Sequence, residues 1–435
     1  MQPALLLVNR NYARLWAGQA VSLLGDFVFA TTLVLWVSVV LLPGRSYAPA
    51  AVSAILFCAA VATLLVGPIA GVFVDRWDRR RTMLRADLIR AGLVGALTAV
   101  AFLPGDWFPV PVTLGAIYVA VLLTTAAGQF FNPARFALIG DVVAGDADRA
   151  RAAGIGQATM AVAGIIGPPL AAPLLFTVGL RWALLLNAAS FVASYVAVRS
   201  VRVDPPPETA PAQAGEPDSG RLWRELRGGI RVIGGSRFLR ALIIPALVVN
   251  LGAGALNALG VFFVTENLHV EARFFGTLDL GFGIGAIVGA LAAGFLAAKL
   301  GNVRILWLGW LATGLGLLVY ARLGSLPAAI VVLVFVSLPL AAAETAAAPL
   351  LMRAAPREYL GRVMSVLVPL AQLAQIIAIA AAGWLASTVL LGFHASLGGV
   401  ELGRIDTIFT AGALLIMAGA VYAGLGLRGM VDSAR

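Results

Sequence analysis

Gly71-Val72-Phe73-Val74-Asp75-Arg76-Trp77-Asp78-Arg79-Arg80 puts five charged residues into its last six positions, between two long apolar runs. The run before it, at about residues 50–74, carries no charge at all, and the next run covers about 83–103. A helix needs about 20 predominantly apolar residues to cross the hydrocarbon core of a bilayer. Each flanking run meets that length, so the decapeptide reads as a tight connection at a membrane surface. Both runs are expected to be helical, because lipid offers no partner for free backbone groups.

The same alternation extends in both directions. Spans are expected at about 15–41, 50–74, 83–103, 111–131, 152–176 and 180–199, then at about 238–264, 275–298, 303–321, 326–348, 361–387 and 405–427. The first run is too long for a signal-peptide core and reads as a retained span. Of the 435 residues, 60% are hydrophobic and 12% are charged, about half the charged share of a soluble domain. The 48 glycines suit helices that pack closely in lipid. The fold class expected is all-α integral membrane, with twelve transmembrane helices in two pseudo-symmetric six-helix bundles. Residues 1–202 form the first half, 203–237 a linker and 238–435 the second half. The linker begins with the Pro-rich Val203–Gly220 stretch, expected to be extended. Arg221 to Gly235 follows, with Leu222, Trp223, Leu226, Ile230 and Ile233 on one helical face and arginines on the other, as in a helix lying on a membrane surface. Repeat signals support two equivalent halves: Pro133 near the end of span four and Pro349 near the end of span ten, and Gly71 and Gly294 closing spans two and eight.

The net charge of +10 does not mark a nucleic-acid binder, because the arginines sit in short breaks between spans. With twelve spans, 26 of the 31 basic residues fall on the side of both termini. Arg45, Arg181, Arg273, Arg322 and Arg404 fall on the other side. That bias predicts cytoplasmic termini in a cell inner (plasma) membrane protein. The single cysteine, Cys58, lies inside an apolar run and excludes a disulfide or thiolate cluster. The two histidines, His269 and His394, lie in expected outer loops, far apart in sequence, and give no metal-ligand spacing. The only lysine, Lys299, is followed by Leu300, so no phosphate-binding loop exists and no cofactor is expected. Gly281, Gly285, Gly289 and Ala293 recur every four residues as a helix-packing stripe, not as a dinucleotide loop. No catalytic constellation and no continuous charged pore is present, so an intramembrane enzyme and a passive channel are both disfavoured.

The loop that opens at Gly71 resembles the signature loop of the major facilitator superfamily: Gly, three residues, Asp75-Arg76, two residues, then the basic pair Arg79-Arg80. Asp78 stands where the family usually has Gly. Asn11-Tyr12-Ala13-Arg14-Leu15-Trp16-Ala17-Gly18-Gln19, Leu24-Gly25-Asp26, Pro356-Arg357-Glu358 and Gly361-Arg362-Val363 resemble the drug-exporter branch with macrolide-efflux and enterobactin-exporter proteins. Span five carries a partial exporter motif at Gly154, Gly167 and Pro168, while the buried arginine usual in span four is replaced by Thr124. The resemblance implies alternating access by two rocking halves. It also implies an inner gate in which small Gly71 lets helices approach, Asp75 faces the start of span eleven, and Arg76, Arg79 and Arg80 pair with Asp75, Asp78, Asp87 or Asp141.

Polar groups deep in lipid are functional candidates by default. Asp26 lies about 3 Å from the middle of its span at helical rise, with Gln19 and Ser22 on the same helical face. Asn250, Gly254 and Asn257 share a face of span seven, and Gln372 and Gln375 lie in span eleven. The resemblance places spans one, four, seven and ten around a central cavity and adds Gln129 and Glu344, the latter with Arg353 as its alternative partner. The expected function is secondary active, proton-coupled export of an amphipathic or hydrophobic small molecule. Siderophore export and lysophospholipid flipping are the alternatives. The expected partners are the cargo, the proton and the bilayer, with the chain acting as a monomer. Asp26 is expected to exchange its proton for cargo.

Overall fold

Asn9 starts the first helix: its side chain accepts a hydrogen bond from Tyr12 N and relieves one of the free amides of the first turn. Ser236 does the same for Leu239 N at the start of the seventh helix. In a computed structural model, which describes residues 8–74, 76–103, 107–202, 227–228, 230–354, 357–397 and 400–431, twelve long helices appear. They are α1 (Arg10–Leu35), α2 (Ala48–Val74), α3 (Arg79–Phe102), α4 (Val110–Val142), α5 (Asp146–Pro173), α6 (Leu180–Ser200), α7 (Arg237–Phe262), α8 (Phe275–Leu300), α9 (Asn302–Tyr320), α10 (Leu326–Ala354), α11 (Arg357–Ser387) and α12 (Arg404–Val431). Two short antiparallel strands, β1 (Ala395–Leu397) and β2 (Val400–Leu402), pair Ala395 with Leu402 between α11 and α12. Most of the linker lies outside the described residues; of the expected surface helix, 227–228 and 230–235 are described and helical, with Ile230 exposed.

Eleven of the described helices are long and apolar enough to cross a membrane. The exception is α3, which opens on Arg79, Arg80 and Arg81 and also carries Arg85, Asp87 and Arg90. Several expected boundaries move, among them two helix ends. Helix α4 continues through Pro133 to Val142, and α10 continues through Pro349 to Ala354. The prolines and arginines at those places mark where the apolar run ends, while the helix goes on.

Four helix pairings recur in the two sets of six helices, while the extensive packing of α8 on α10 marks the second set. In the first, α6 packs on α1 and α3, α3 on α4, and α1 on α5. In the second, α12 packs on α7 and α9, α9 on α10, and α7 on α11. The register is close. When Arg10 and Arg237, which open α1 and α7, are set against each other, the π-helical turns that continue these helices, Trp36–Leu41 and Phe263–Asn267, also begin at matching positions. The chain divides into two compact units, Met1–Val37 with Cys58–Pro217, and Ser38–Phe57 with Asp218–Arg435. The start of α2 thus groups with the second unit, where Ser387 Oγ accepts from Ala50 N at 2.9 Å.

Small residues set the closest approaches. A Cβ built at Gly18 would stand 2.4 Å from the Ala197 Cβ, and one at Gly25 would stand 2.5 Å from the Ser190 Oγ, so α1 and α6 meet where α1 lacks side chains. In the second unit the expected stripe does the same work. A Cβ at Gly285 would lie 2.3 Å from Val334 O, and one at Gly289 would lie 2.1 Å from Leu338 O.

Candidate functional site

The signature loop is read from its two ends, because Asp75 lies outside the described residues. Within its own unit, nothing lies within 4 Å of a Cβ built at Gly71. The contact on α2 falls one turn earlier, where a Cβ at Gly67 would lie 3.3 Å from Gln129 Oε1. Val74 fills the core at this end, beside Leu15, Met83 and Phe131. Asp78, the departure from the family pattern, is the N-cap of α3 and accepts from Arg81 N at 2.6 Å. Arg79 pairs with Asp141 at the end of α4. Arg80 donates to the carbonyls of Val198 and Arg199 at the end of α6, where the helix dipole favours a cation. Arg79 and Arg80 therefore tie α3 to its neighbours within the first unit.

The opening motif has a similar structural meaning. Asn11 Nδ2 donates to Arg202 O at 2.9 Å, Tyr12 Oη to Ala152 O at 2.8 Å, and Trp16 Nε1 to Thr159 Oγ1 at 2.8 Å. Arg14 Nη1 donates to Ser200 O at 3.2 Å. These four side chains fasten the start of α1 to α5 and to the end of α6.

The centre of the first unit holds charge. Arg90 Nη2 donates to Asp26 Oδ2 at 2.7 Å, joining α3 to α1 in mid-span. The arginine side chain is 10% exposed and the aspartate side chain 33%. Phe191 of α6 lies under the guanidinium, 4.0 Å from ring centroid to Cζ, and Phe131 of α4 lies 5.9 Å away. Such ring faces stabilise a cation that has left water. One turn before Arg90, Asp87 is 0% exposed, and the Ser194 side chain of α6 interacts with it. Neither Asp87 oxygen has a hydrogen-bond partner within normal geometry, and the same holds for Ser194 Oγ and Arg90 Nε. The arrangement is one cation between two carboxylates, closed by aromatic rings.

Of the other candidates, Gln19 and Ser22 are buried. Gln129 Nε2 reaches Thr63 Oγ1 at 3.3 Å. In the second unit, Asn250 Nδ2 bonds back to Ala246 O on its own helix, and Asn257 is exposed. Gly254 proves to be a packing residue, since a Cβ there would stand 2.4 Å from the Ala378 Cβ of α11. Gln372 and Gln375 are half-buried on α11, and Glu344 is exposed and forms no ion pair with Arg353 among the described residues.

Sequence reading missed the partnership of Asp87 and Arg90 with Asp26, although their spacing of three along an apolar run was a visible signal. It also missed that basic residues remote from the termini are structural. Arg404 makes a two-pronged pair with Glu266, at 2.5 and 2.8 Å, beside a cavity of about 330 Å³ lined in part by Asn267, Phe393 and His394. Arg322 pairs with buried Asp406 at 3.2 Å.

Known proteins agree with this architecture. The chain is 27% identical over 356 residues to the multidrug efflux pump Tap of Mycolicibacterium fortuitum, covering 77% of this chain and 79% of that one. It is 24% identical over 284 residues to macrolide efflux protein A of Streptococcus pyogenes, covering 65% of this chain and 66% of the relative. Its fold matches the crystal structure of a mutant of the nucleoside transporter NupG with a TM-score of 0.69 at 13% identity, over 96% of this chain and all of that one. The Major Facilitator Superfamily profile matches residues 15–379 and 246–428. Twelve helices with pairings that recur in two sets of six, a charged connection after the second helix and this match over most of the length lead to one assignment: the chain is a multi-pass membrane transport protein of the major facilitator superfamily.

Proposed function

We propose that the protein is a secondary active exporter that exchanges an amphipathic or hydrophobic small molecule for protons by alternating access. The observation that carries this reading is the Asp26–Arg90 ion pair in mid-span. A buried pair is a costly way to join two helices, because the desolvation of both ions offsets much of their attraction. The second unit carries no such pair at the matching positions. With the first residues of α1 and α7 aligned, Asp26 falls opposite Ala253. With the first residues of α3 and α9 aligned, Arg90 falls opposite Thr313. A pair that is absent from the second unit and expensive in lipid fits a site that senses a proton and cargo.

The efflux relatives support a drug-like cargo, and the weakly polar set Gln19, Ser22, Gln129, Asn250, Asn257, Gln372 and Gln375 suits an apolar molecule better than a sugar. Glu344, exposed on α10, is the second acidic candidate. The loop residues Gly71, Asp75 and Arg76 keep their proposed part in gating, with Arg79 and Arg80 bracing α3 behind them. The test is thermal unfolding of the detergent-solubilised chain against macrolides, siderophores and lysophospholipids. A ligand that binds the folded state raises Tm with concentration. Stabilisation by macrolides is expected; stabilisation by siderophores or lysophospholipids alone would replace the drug-export reading with that alternative.

A further inference from the structure

The second carboxylate of the cluster has no part in the reading above. Asp87 is sealed, with 0% of its surface exposed, while Asp26 keeps a third of its side chain open. Asp26 also has the direct 2.7 Å bond to Arg90, and Asp87 has none. The groups that face Asp87 are few. Its own helix offers Arg90, one turn on, α1 offers Asp26, and α6 offers the Ser194 hydroxyl; Phe191 of α6 and Phe131 of α4 pack on Arg90. One guanidinium thus serves two carboxylates in a site walled by aromatic rings.

Charge counting then limits the states this cluster can occupy. With both carboxylates ionised it carries one uncompensated negative charge in a dry setting, which is strongly unfavourable. With one proton bound it is neutral. Asp26, open and hydrogen-bonded to Arg90, is the group whose ionised form is already satisfied. Asp87, sealed, with no cation bonded to its oxygens and only the Ser194 hydroxyl beside it, is the group whose neutral form suits its surroundings.

We propose that Asp87 is the carboxyl that carries the transported proton, and that Arg90 is the counter-ion it shares with Asp26. This rests on the proton-coupled reading given above. In the arrangement seen, Asp26 and Arg90 are paired and Asp87 holds the proton on a carboxyl oxygen. When the Asp26–Arg90 bond opens, the Asp87 O–H bond breaks and its proton passes to water. The electron pair stays on the Asp87 carboxylate, which takes Arg90 as its partner across one helical turn. Asp26 is then an open carboxylate, free for a cationic group of the cargo. Reprotonation of Asp87 returns Arg90 to Asp26. One proton crosses per cycle, and the cluster carries an uncompensated charge only while Asp26 is exposed. Asp87 and Arg90 have no charged counterparts in the second unit, where Trp310 and Thr313 stand at the matching positions of α9.

Infrared difference spectroscopy of the full chain in liposomes reads protonated carboxyls directly, through their carbonyl stretch. Titration of the wild type with alkali is expected to remove one component of that band that Asp87→Asn lacks and that Asp87→Glu retains at a shifted frequency. Because the amide copies the protonated acid, Asp87→Asn should fold, and Asp87→Glu guards against the case in which it does not. In the same liposomes, accumulation of a radiolabelled macrolide driven by a pH gradient should fall in Asp87→Asn to the protein-free level, while exchange of labelled for unlabelled macrolide at equal pH persists. An Asp87→Asn chain that keeps the whole band, or that still follows the gradient, overturns the assignment to Asp87 alone. Wild-type accumulation that ignores the gradient sinks the coupling reading on which the assignment rests.

Discussion

Asp26 was visible in the sequence because a charge in the middle of an apolar run is rare. Its partner was harder to see, since Arg90 sits in a helix whose charges look like part of the basic loop before it. What the sequence could not supply is the distance across the bundle: Arg90 is 64 residues from Asp26 and 2.7 Å from its oxygen. The structure thereby changes the expectation for Asp26 from a lone acid to one member of a three-residue cluster. Removing one partner of a buried pair leaves the other ion uncompensated and typically costs about 3–5 kcal/mol. Arg90→Gln should therefore lower the thermal midpoint of the solubilised protein clearly, with a cost toward the lower end because part of Asp26 stays open. Adding Asp26→Asn to it should recover part of the loss; a double variant less stable than Arg90→Gln alone would show that the two side chains do not act as a pair. Asp78 illustrates the opposite case. It stands where the family usually has Gly, and the reason is local: an aspartate at that place caps α3. Asp78→Ala should cost about 1 kcal/mol, and Asp78→Asn or Asp78→Ser much less, in thermal or denaturant unfolding.

At the scale of elements, the apolar runs gave the positions of the helices well and their ends poorly. Helix α4 extends past Pro133 and α5 starts at Asp146, because backbone hydrogen bonding carries a helix on after its apolar part has stopped. Glycine roles were legible only where a period was present. The stripe of Gly281, Gly285 and Gly289 is a packing seam against α10, as its spacing of four implies. Gly71 belongs to a motif but touches nothing within 4 Å in its own unit. The two therefore separate in a stability experiment. Gly285→Leu should destabilise strongly, since the new side chain must displace the α10 backbone and overpacking costs typically about 1–3 kcal/mol or more. Gly71→Ala should leave stability within about 0.5 kcal/mol or raise it through helix propensity. Equal losses in the two variants would mean that α2 is packed at Gly71 after all. Any fall in transport by Gly71→Ala without a fall in stability would support the gating role of the loop.

For the whole molecule, the twofold organisation was legible from prolines and glycines half a chain apart, and the structure gives it four helix pairings that recur in both sets. Among the described helices, the one too charged to be read as a membrane span from composition is α3, and its charges include Asp87 and Arg90, so the least membrane-like helix is the one richest in candidate chemistry. Orientation rests on charge bias alone, and chemical labelling checks it. On a Cys58→Ala background, Gln213→Cys should resist an impermeant thiol reagent in intact cells and Ser396→Cys should react; labelling of position 213 from outside would reverse the topology. The central claim, an exporter driven by protons through a charged cluster in its first half, is tested most directly by cargo accumulation in proteoliposomes with an acidic lumen. The account predicts that a radiolabelled macrolide accumulates above the level of protein-free liposomes, that a protonophore abolishes the excess, and that Asp26→Asn shows none. An excess that survives collapse of the pH gradient, or that Asp26→Asn reproduces in full, would contradict it.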